Sequence, residues 1–148
     1  MFKLEERIEI TNKILTITRD LLKNVSSNPR LNGLYVFIFH WLILGVPLIK
    51  IILGSLDEWF FVSCIIWMMI FIFHVYFNGC ILTRLERKLW DTKDWYGPWC
   101  LPFKFIEMYT NKKITRNFAN TTFYGWGLFL IFYVIMKISF LKVLNKKN

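Results

Sequence analysis

An uncharged apolar run dominates the sequence: residues 59–82 read WFFVSCIIWMMIFIFHVYFNGCIL. About 20 helical residues cross a hydrocarbon core of about 30 Å, so this run is long enough to span a membrane. Residues 34–53 and 122–141 are similarly apolar, although Lys50 and Lys137 lie near one end of each. The chain is also 55% hydrophobic, above the usual composition of a soluble domain. We therefore predict an all-α integral membrane protein with about three transmembrane helices.

The chain divides into four predicted segments. They are an amphipathic helix and linker (1–32), a transmembrane hairpin (33–83), an aromatic-rich basic interfacial loop (84–120), and a third transmembrane helix with a basic tail (121–148). Within the first segment, apolar and polar residues of 3–25 occupy opposite halves of a helical wheel. That pattern fits either a helix packed on its own protein or a helix lying in the bilayer interface.

The distribution of Lys and Arg predicts the orientation. Residues 1–32 carry six, residues 83–120 carry eight, and the turn at 54–58 carries none. By the positive-inside rule, the N-terminus and the 83–120 segment lie on the cytoplasmic-equivalent side. The net charge of +9 then indicates contact with the anionic headgroups of a lipid bilayer. It does not indicate nucleic-acid binding, which requires a basic face on a soluble fold.

Two histidines lie inside predicted spans, one in each arm of the hairpin. His40 precedes Gly54 by 14 residues and His74 follows Glu58 by 16, which places them at similar depth, about 21 and 24 Å from the turn. Ionisable residues inside a span are expensive and often functional. Three interpretations remain open: a hydrogen bond to a neighbour such as Asn78, ligation of haem b or a metal, or a polar contact with a partner.

The end of the second span carries a polar cluster. Gly79 and Thr83 are four residues apart and would share a helical face suited to close packing. Thr83 and Glu86 have the spacing of a capping pair. Cys80 could be a nucleophile only with a base within reach, and His74 lies about 240° away around a continuous helix. We therefore expect no thiol catalysis, no catalytic residues and no metal site.

The residues that follow are typical of a membrane boundary, where aromatic and basic side chains gather. The predicted interfacial residues are Trp90, Trp95, Trp99, Arg84, Arg87 and Lys88.

The motif C-x-L-T-x-L-E, formed by Cys80, Leu82, Thr83, Leu85 and Glu86, resembles a motif of small polytopic membrane proteins of unknown function. Members occur in bacteria and in large DNA viruses, and the motif follows a span that contains a histidine. Because the activity of that family is uncharacterised, the resemblance implies no catalytic role.

A second segment, HVYFNG at 74–79, is similar to the haem-binding region of the cytochrome b anchor subunits of succinate dehydrogenase. That resemblance implies that His74 is a haem ligand and that the chain transfers electrons.

These patterns favour a non-enzymatic structural or assembly subunit of a larger membrane complex, with other membrane-protein subunits as partners and no cofactor. Residue usage, with one alanine and no glutamine, suggests an AT-rich genome, and hence a mitochondrial inner membrane or the internal membrane of a large DNA virus. The alternative is the haem b anchor. An enzyme acting on lipid would require both histidines, Cys80 and Glu86 to surround one pocket.

Overall fold

A computed structural model describes residues 4–110 and 112–145, and every regular element in these ranges is a helix. The elements are α1 (Leu4–Lys23), α2 (Pro29–Leu53), α3 (Glu58–Tyr76), α4 (Ile81–Trp90), a 3₁₀ turn (Pro98–Cys100), α5 (Leu101–Thr110) and α6 (Arg116–Asn145). Helices α2, α3 and the Arg116–Phe140 part of α6 are long and apolar enough to cross a membrane. The predicted all-α class with three such helices is confirmed, and it is compatible with an integral membrane protein.

Helix α2 begins five residues earlier than the predicted span. The side chain of Asn28 accepts a hydrogen bond from the backbone N–H of Arg30, and Pro29 occupies the first helical position. Both residues favour helix initiation. At the other end, Asp57 caps α3 through the N–H of Phe60 and pairs with Lys50 at 2.7 Å. These two contacts close the short turn between α2 and α3.

Helix α3 ends at Tyr76, so the predicted continuous span of 59–82 is wrong at its C-terminal end. Asn78 and Gly79 have φ values of 51° and 124°, a left-handed conformation that ends a helix and suits Asn and Gly. Cys80 is then extended and stands at the N-cap of α4. Residues 77–80 therefore form a linker between α3 and α4, and α4 packs on α2.

Helix α1 packs on its own protein through one face. Leu15 is buried in a cluster with Val36 of α2 and with Leu85 and Leu89 of α4. Other apolar residues of α1 remain exposed, including Leu21 at 61%. The face of α1 that carries Leu15 packs on the protein, as the first interpretation of this helix predicts. The opposite face is exposed and could lie in the bilayer interface, as the second interpretation predicts.

Lys137 is held at the turn between α2 and α3. Its Nζ donates to the carbonyl oxygens of Ile51, Ile52 and Gly54 at 2.7–3.1 Å. These carbonyls belong to the C-terminal turn of α2, which lacks helical donors of its own. Lys137 therefore does not interrupt α6, which reaches the same end of the bundle. Part of the predicted basic tail, residues 146–148, lies outside the described residues.

Candidate active site

A hydrogen-bonded chain of three ionisable side chains joins α2 to the start of α4. His40 Nδ1 lies 2.9 Å from Oε1 of Glu86, and His40 Nε2 lies 3.3 Å from Sγ of Cys80. His40 and Glu86 are 1% and 0% exposed. The second carboxylate oxygen of Glu86 accepts a hydrogen bond from the indole N–H of Trp95. A thiol, an imidazole and a carboxylate are thus in contact in the order used by cysteine nucleophiles.

The partners of Glu86 determine the tautomer of His40. A carboxylate only accepts hydrogen bonds, and an indole N–H only donates. Glu86 therefore accepts from Trp95 at one oxygen and from the Nδ1–H of His40 at the other. In neutral His40 this arrangement leaves Nε2 without a proton, so Nε2 can accept the proton of the Cys80 thiol.

The local sequence explains how the hydrogen-bonded side chains of Cys80, His40 and Glu86 are brought together. Val36, His40 and Leu44 are four residues apart and lie on the buried face of α2. On α4, Leu85, Glu86 and Leu89 form the buried face, and α4 packs across α2. The motif thus places Glu86 opposite His40 while apolar neighbours on both helices exclude water.

Cys80 is more acidic than an ordinary thiol. Burial raises the pKa of Cys80, but the hydrogen bond and charge of His40, with the backbone N–H of Thr83, lower it below its usual value. Cys80 also stands at the N-terminus of α4, where the helix dipole favours a thiolate. In contrast, burial raises the pKa of Cys100 to about 12. These environments make Cys80 the better candidate for a nucleophile.

Two cavities meet at Cys80. The first, here called the arginine cavity, has a volume of about 650 Å³ and is lined by Arg7, Arg84, Arg87 and Arg116 together with Tyr96 and Asn120. The second, here called the apolar cavity, has a volume of about 460 Å³ and is lined by apolar residues of α1, α2, α3 and α6, among them Ile14, Leu44, Ile70 and Phe123. Cys80, His74 and Trp99 line both cavities. The thiol therefore stands at a junction between a cationic and an apolar space.

His74 lines the same two cavities as Cys80. Its ring stacks on Phe123 at 3.9 Å between centroids, and its buried Nε2 makes no hydrogen bond of normal geometry with the described residues. His40 and His74 both line the apolar cavity. The structure thus brings both histidines and Cys80 to one pocket, with Glu86 directly behind His40.

The structure changes the roles expected for the residues around Cys80. Gly79 lies in the linker and shares no helical face with Thr83. Cys80 takes the N-cap position expected of Thr83, and Glu86 bonds His40 and Trp95 rather than a helix end. Asn78 is exposed, and its carbonyl oxygen accepts from Arg84 and Arg116.

The predicted boundary residues other than Lys88 are half-buried, and several of them make contacts within the protein. Trp90 and Trp95 pack edge to face at 5.6 Å, and both contact Phe37 of α2. Arg87 donates to the carbonyl oxygen of Trp95 and so fixes the residue that bonds Glu86. Lys88 is exposed.

Comparisons with protein families, with curated proteins and with solved structures find no match for this chain. The resemblance of its C-x-L-T-x-L-E segment to small polytopic membrane proteins therefore stays a prediction. Among the described residues, no group of three or more His, Cys, Asp or Glu side chains could hold a metal ion. His40 bonds Glu86 through one ring nitrogen and Cys80 through the other, so the three side chains do not converge on one point as metal ligands would.

Gly97 holds the segment that carries Trp95 close to α4. Its φ is 99°, and a Cβ there would lie 2.6 Å from Oγ1 of Thr83 and 3.1 Å from Nε1 of Trp99. We predict that Gly97→Ala lowers the free energy of unfolding by about 1–3 kcal/mol, as overpacking does. Gly125→Ala is the matched control, since a Cβ at Gly125 meets nothing within 4 Å. Thermal unfolding in detergent measures both, and equal melting temperatures would contradict the prediction.

Proposed function

We propose that this chain is a membrane-embedded cysteine enzyme that cleaves or transfers acyl groups of lipids. The observation that carries the proposal is the buried Cys80–His40–Glu86 chain. Two features of its surroundings support a lipid substrate. The thiol lines an apolar cavity, and that cavity lies among helices suited to a membrane.

The first step would form a thioester on Cys80. As the sulfur attacks the acyl carbonyl carbon, the thiol proton passes to Nε2 of His40. The carbon–oxygen bond of the ester then breaks, and the departing alcohol takes the proton back from Nε2. Glu86 holds the imidazole in the required tautomer and stabilises the imidazolium between these two transfers.

The second step would release the acyl group. The oxygen of a water molecule attacks the thioester carbonyl carbon while the water gives one proton to Nε2 of His40. The carbon–sulfur bond then breaks, and the sulfur of Cys80 takes that proton from His40. The net reaction is an ester plus water giving a fatty acid and an alcohol. A hydroxyl group of a second lipid in place of water would make the same chemistry an acyl transfer.

Candidate donors for the developing oxyanion lie next to Cys80 at the start of α4. The first amide groups of a helix have no acceptor within that helix, and here they belong to residues 81–83 next to the nucleophile. The hydroxyl of Thr83 is buried next to Cys80 and lines the same cavity. Pre-positioned donors of this kind are a large source of transition-state stabilisation.

The haem interpretation has one observation in its favour: Nε2 of His74 makes no hydrogen bond of normal geometry with the described residues. Both ring nitrogens of His40 already have partners, so His40 is poorly suited to bind iron. Haem ligation by His74 stays a prediction for absorbance spectroscopy, as does the role of a non-enzymatic subunit for co-purification. Location in a mitochondrial or viral membrane likewise stays a prediction that rests on residue usage.

Trapping the acyl-enzyme tests the proposed function. The purified chain in detergent micelles is mixed with a lipid ester of an alkyne-tagged fatty acid, quenched with acid and mapped by peptide mass spectrometry. We expect the tag on Cys80, with removal by neutral hydroxylamine, as a thioester requires. Cys64 and Cys100 serve as internal controls. Equal labelling of the three cysteines, or none on Cys80, would contradict the proposal.

A further inference from the structure

Four arginines from three helices line the arginine cavity. Arg7 comes from α1, Arg84 and Arg87 from α4, and Arg116 from the start of α6. No aspartate or glutamate is among the described residues that line it. The cavity thus concentrates positive charge beside the thiol of Cys80.

These charges are held together against their mutual repulsion. Burial lowers the pKa of Arg84, and the charges of Arg116 and Arg87 lower it further. Burial likewise lowers the pKa of Arg87, and the charge of Arg116 adds to this effect, whereas Tyr96 and Asp94 act in the opposite direction. Backbone carbonyls hold the side chains in place: Arg84 Nη2 lies 2.6 Å from the oxygen of Phe77, and Arg116 Nη2 lies 3.0 Å from that of Asn78. An arrangement that keeps like charges together is suited to an anion.

Two buried polar atoms that line the same cavity make no hydrogen bond of normal geometry with the described residues. They are Nε of Arg7 and Nε2 of His74. Buried polar groups are nearly always hydrogen-bonded in native proteins. Two such atoms around one space of about 650 Å³ are therefore consistent with a polar ligand there.

We propose that the acyl substrate of this enzyme carries a phosphate group, which the arginine cavity binds while the acyl chain occupies the apolar cavity. This inference rests on the proposed function for the position of the acyl carbonyl at Cys80. Planar guanidinium groups pair with phosphate through two parallel hydrogen bonds. The thiol lies where the two cavities meet, as a molecule with a phosphate at one end and an acyl chain at the other requires.

Two kinds of molecule have this chemistry, a glycerophospholipid and a long-chain acyl-coenzyme A. Binding is measured with the full-length Cys80→Ala variant in detergent micelles, so that turnover does not intervene. The ligands are phosphatidic acid, diacylglycerol with the same chains, and palmitoyl-coenzyme A. We expect phosphatidic acid to bind about tenfold or more tightly than diacylglycerol, as charge-assisted hydrogen bonds allow. Tighter binding of palmitoyl-coenzyme A would identify the soluble thioester as the source of the phosphate.

Charge variants separate specific binding from general attraction. Arg84→Gln with Arg116→Gln should abolish the preference for phosphate, whereas Lys88→Gln should not, because Lys88 is an exposed cation on the same helix that is absent from the cavity lining. Arg116→Gln alone, at an exposed side chain, gives a variant that folds if the double variant does not. Equal binding of all three ligands, or equal loss in the Lys88 variant, would overturn the inference.

The binding assay tests the inference about the substrate, and the trapping assay tests the proposed function, so their results can be told apart. Phosphate-selective binding without an acyl adduct on Cys80 would refute the proposed function, and with it the role of the arginine cavity in positioning a substrate. An acyl adduct on Cys80 without phosphate selectivity would leave the enzyme in place and overturn the inference about its substrate.

Discussion

Replacing Cys80 by alanine is expected to lower the rate of acyl release by about 10³-fold or more, the scale seen when a catalytic nucleophile is removed. In the proposed mechanism the thiol forms the intermediate, and among the described residues no other nucleophile bonds Nε2 of His40. Release of fatty acid from an ester substrate in detergent micelles measures the rate. The substitution should leave the fold intact, since it removes only the sulfur atom from a half-buried position at the start of α4.

The other two cysteines supply the controls for this experiment. Cys64 lies in α3, away from both cavities at the site, so Cys64→Ala should keep the rate of the natural sequence. Cys100 is fully buried, so Cys100→Ala reports the effect of a small core defect on activity. If Cys80→Ala released fatty acid as fast as Cys64→Ala, the assignment of Cys80 as nucleophile would be wrong.

The membrane-type helices could be predicted from sequence because the signal is local. A strongly apolar run of about 20 residues has few alternatives to a spanning helix, and α2, α3 and α6 follow from that pattern. The end of α3 could not be placed by hydropathy. Ile81 and Leu82 belong to α4 and line the apolar cavity inside the protein. They are as apolar as the span before them, so hydropathy does not change where α3 ends.

A turn signal was nevertheless present in the sequence. The Asn78–Gly79 pair is a common turn dipeptide, and both residues take a positive φ here. Once the helix ends at Tyr76, the angle of about 240° between His74 and Cys80 on a wheel no longer applies. The sequence-based case against thiol chemistry depended on that continuous helix.

The partner of Cys80 was beyond the reach of sequence patterns. His40 lies 40 residues before Cys80 and 46 before Glu86, and their contacts depend on how α4 crosses α2. Periodicity can indicate that His40 and Glu86 are on buried faces, but not that the two faces meet. A buried glutamate in an otherwise apolar helix face was the available clue, since an unpaired buried carboxylate is very unfavourable.

Glu86→Gln is expected to lower acyl release by about 10²–10⁴-fold while the fold is kept, as replacing the carboxylate of a triad by an amide does. The substitution preserves volume but introduces a donor. If the amide NH₂ faces His40, Nδ1 must accept, the proton moves to Nε2, and the imidazole can no longer take a proton from Cys80. If the amide oxygen faces His40, its NH₂ meets the indole N–H of Trp95, and two donors oppose each other.

The pH profile distinguishes a role in orienting His40 from a purely structural one. Alkylation of Cys80 by iodoacetamide follows the thiolate, and the hydrogen bond and charge of His40 lower the pKa of this thiol. In Glu86→Gln the imidazolium loses its partner, so the midpoint of alkylation should move to higher pH, toward that of an ordinary thiol.

Trp95→Phe is the matched control for this shift, because it removes the other hydrogen bond of Glu86 and leaves the one to His40. It should keep a midpoint near that of the natural sequence, with a smaller loss of acyl release. An unchanged midpoint in Glu86→Gln, with reduced stability as its main effect, would contradict the orienting role. In that case the carboxylate would serve only to accept the hydrogen bonds of His40 and Trp95 inside the protein.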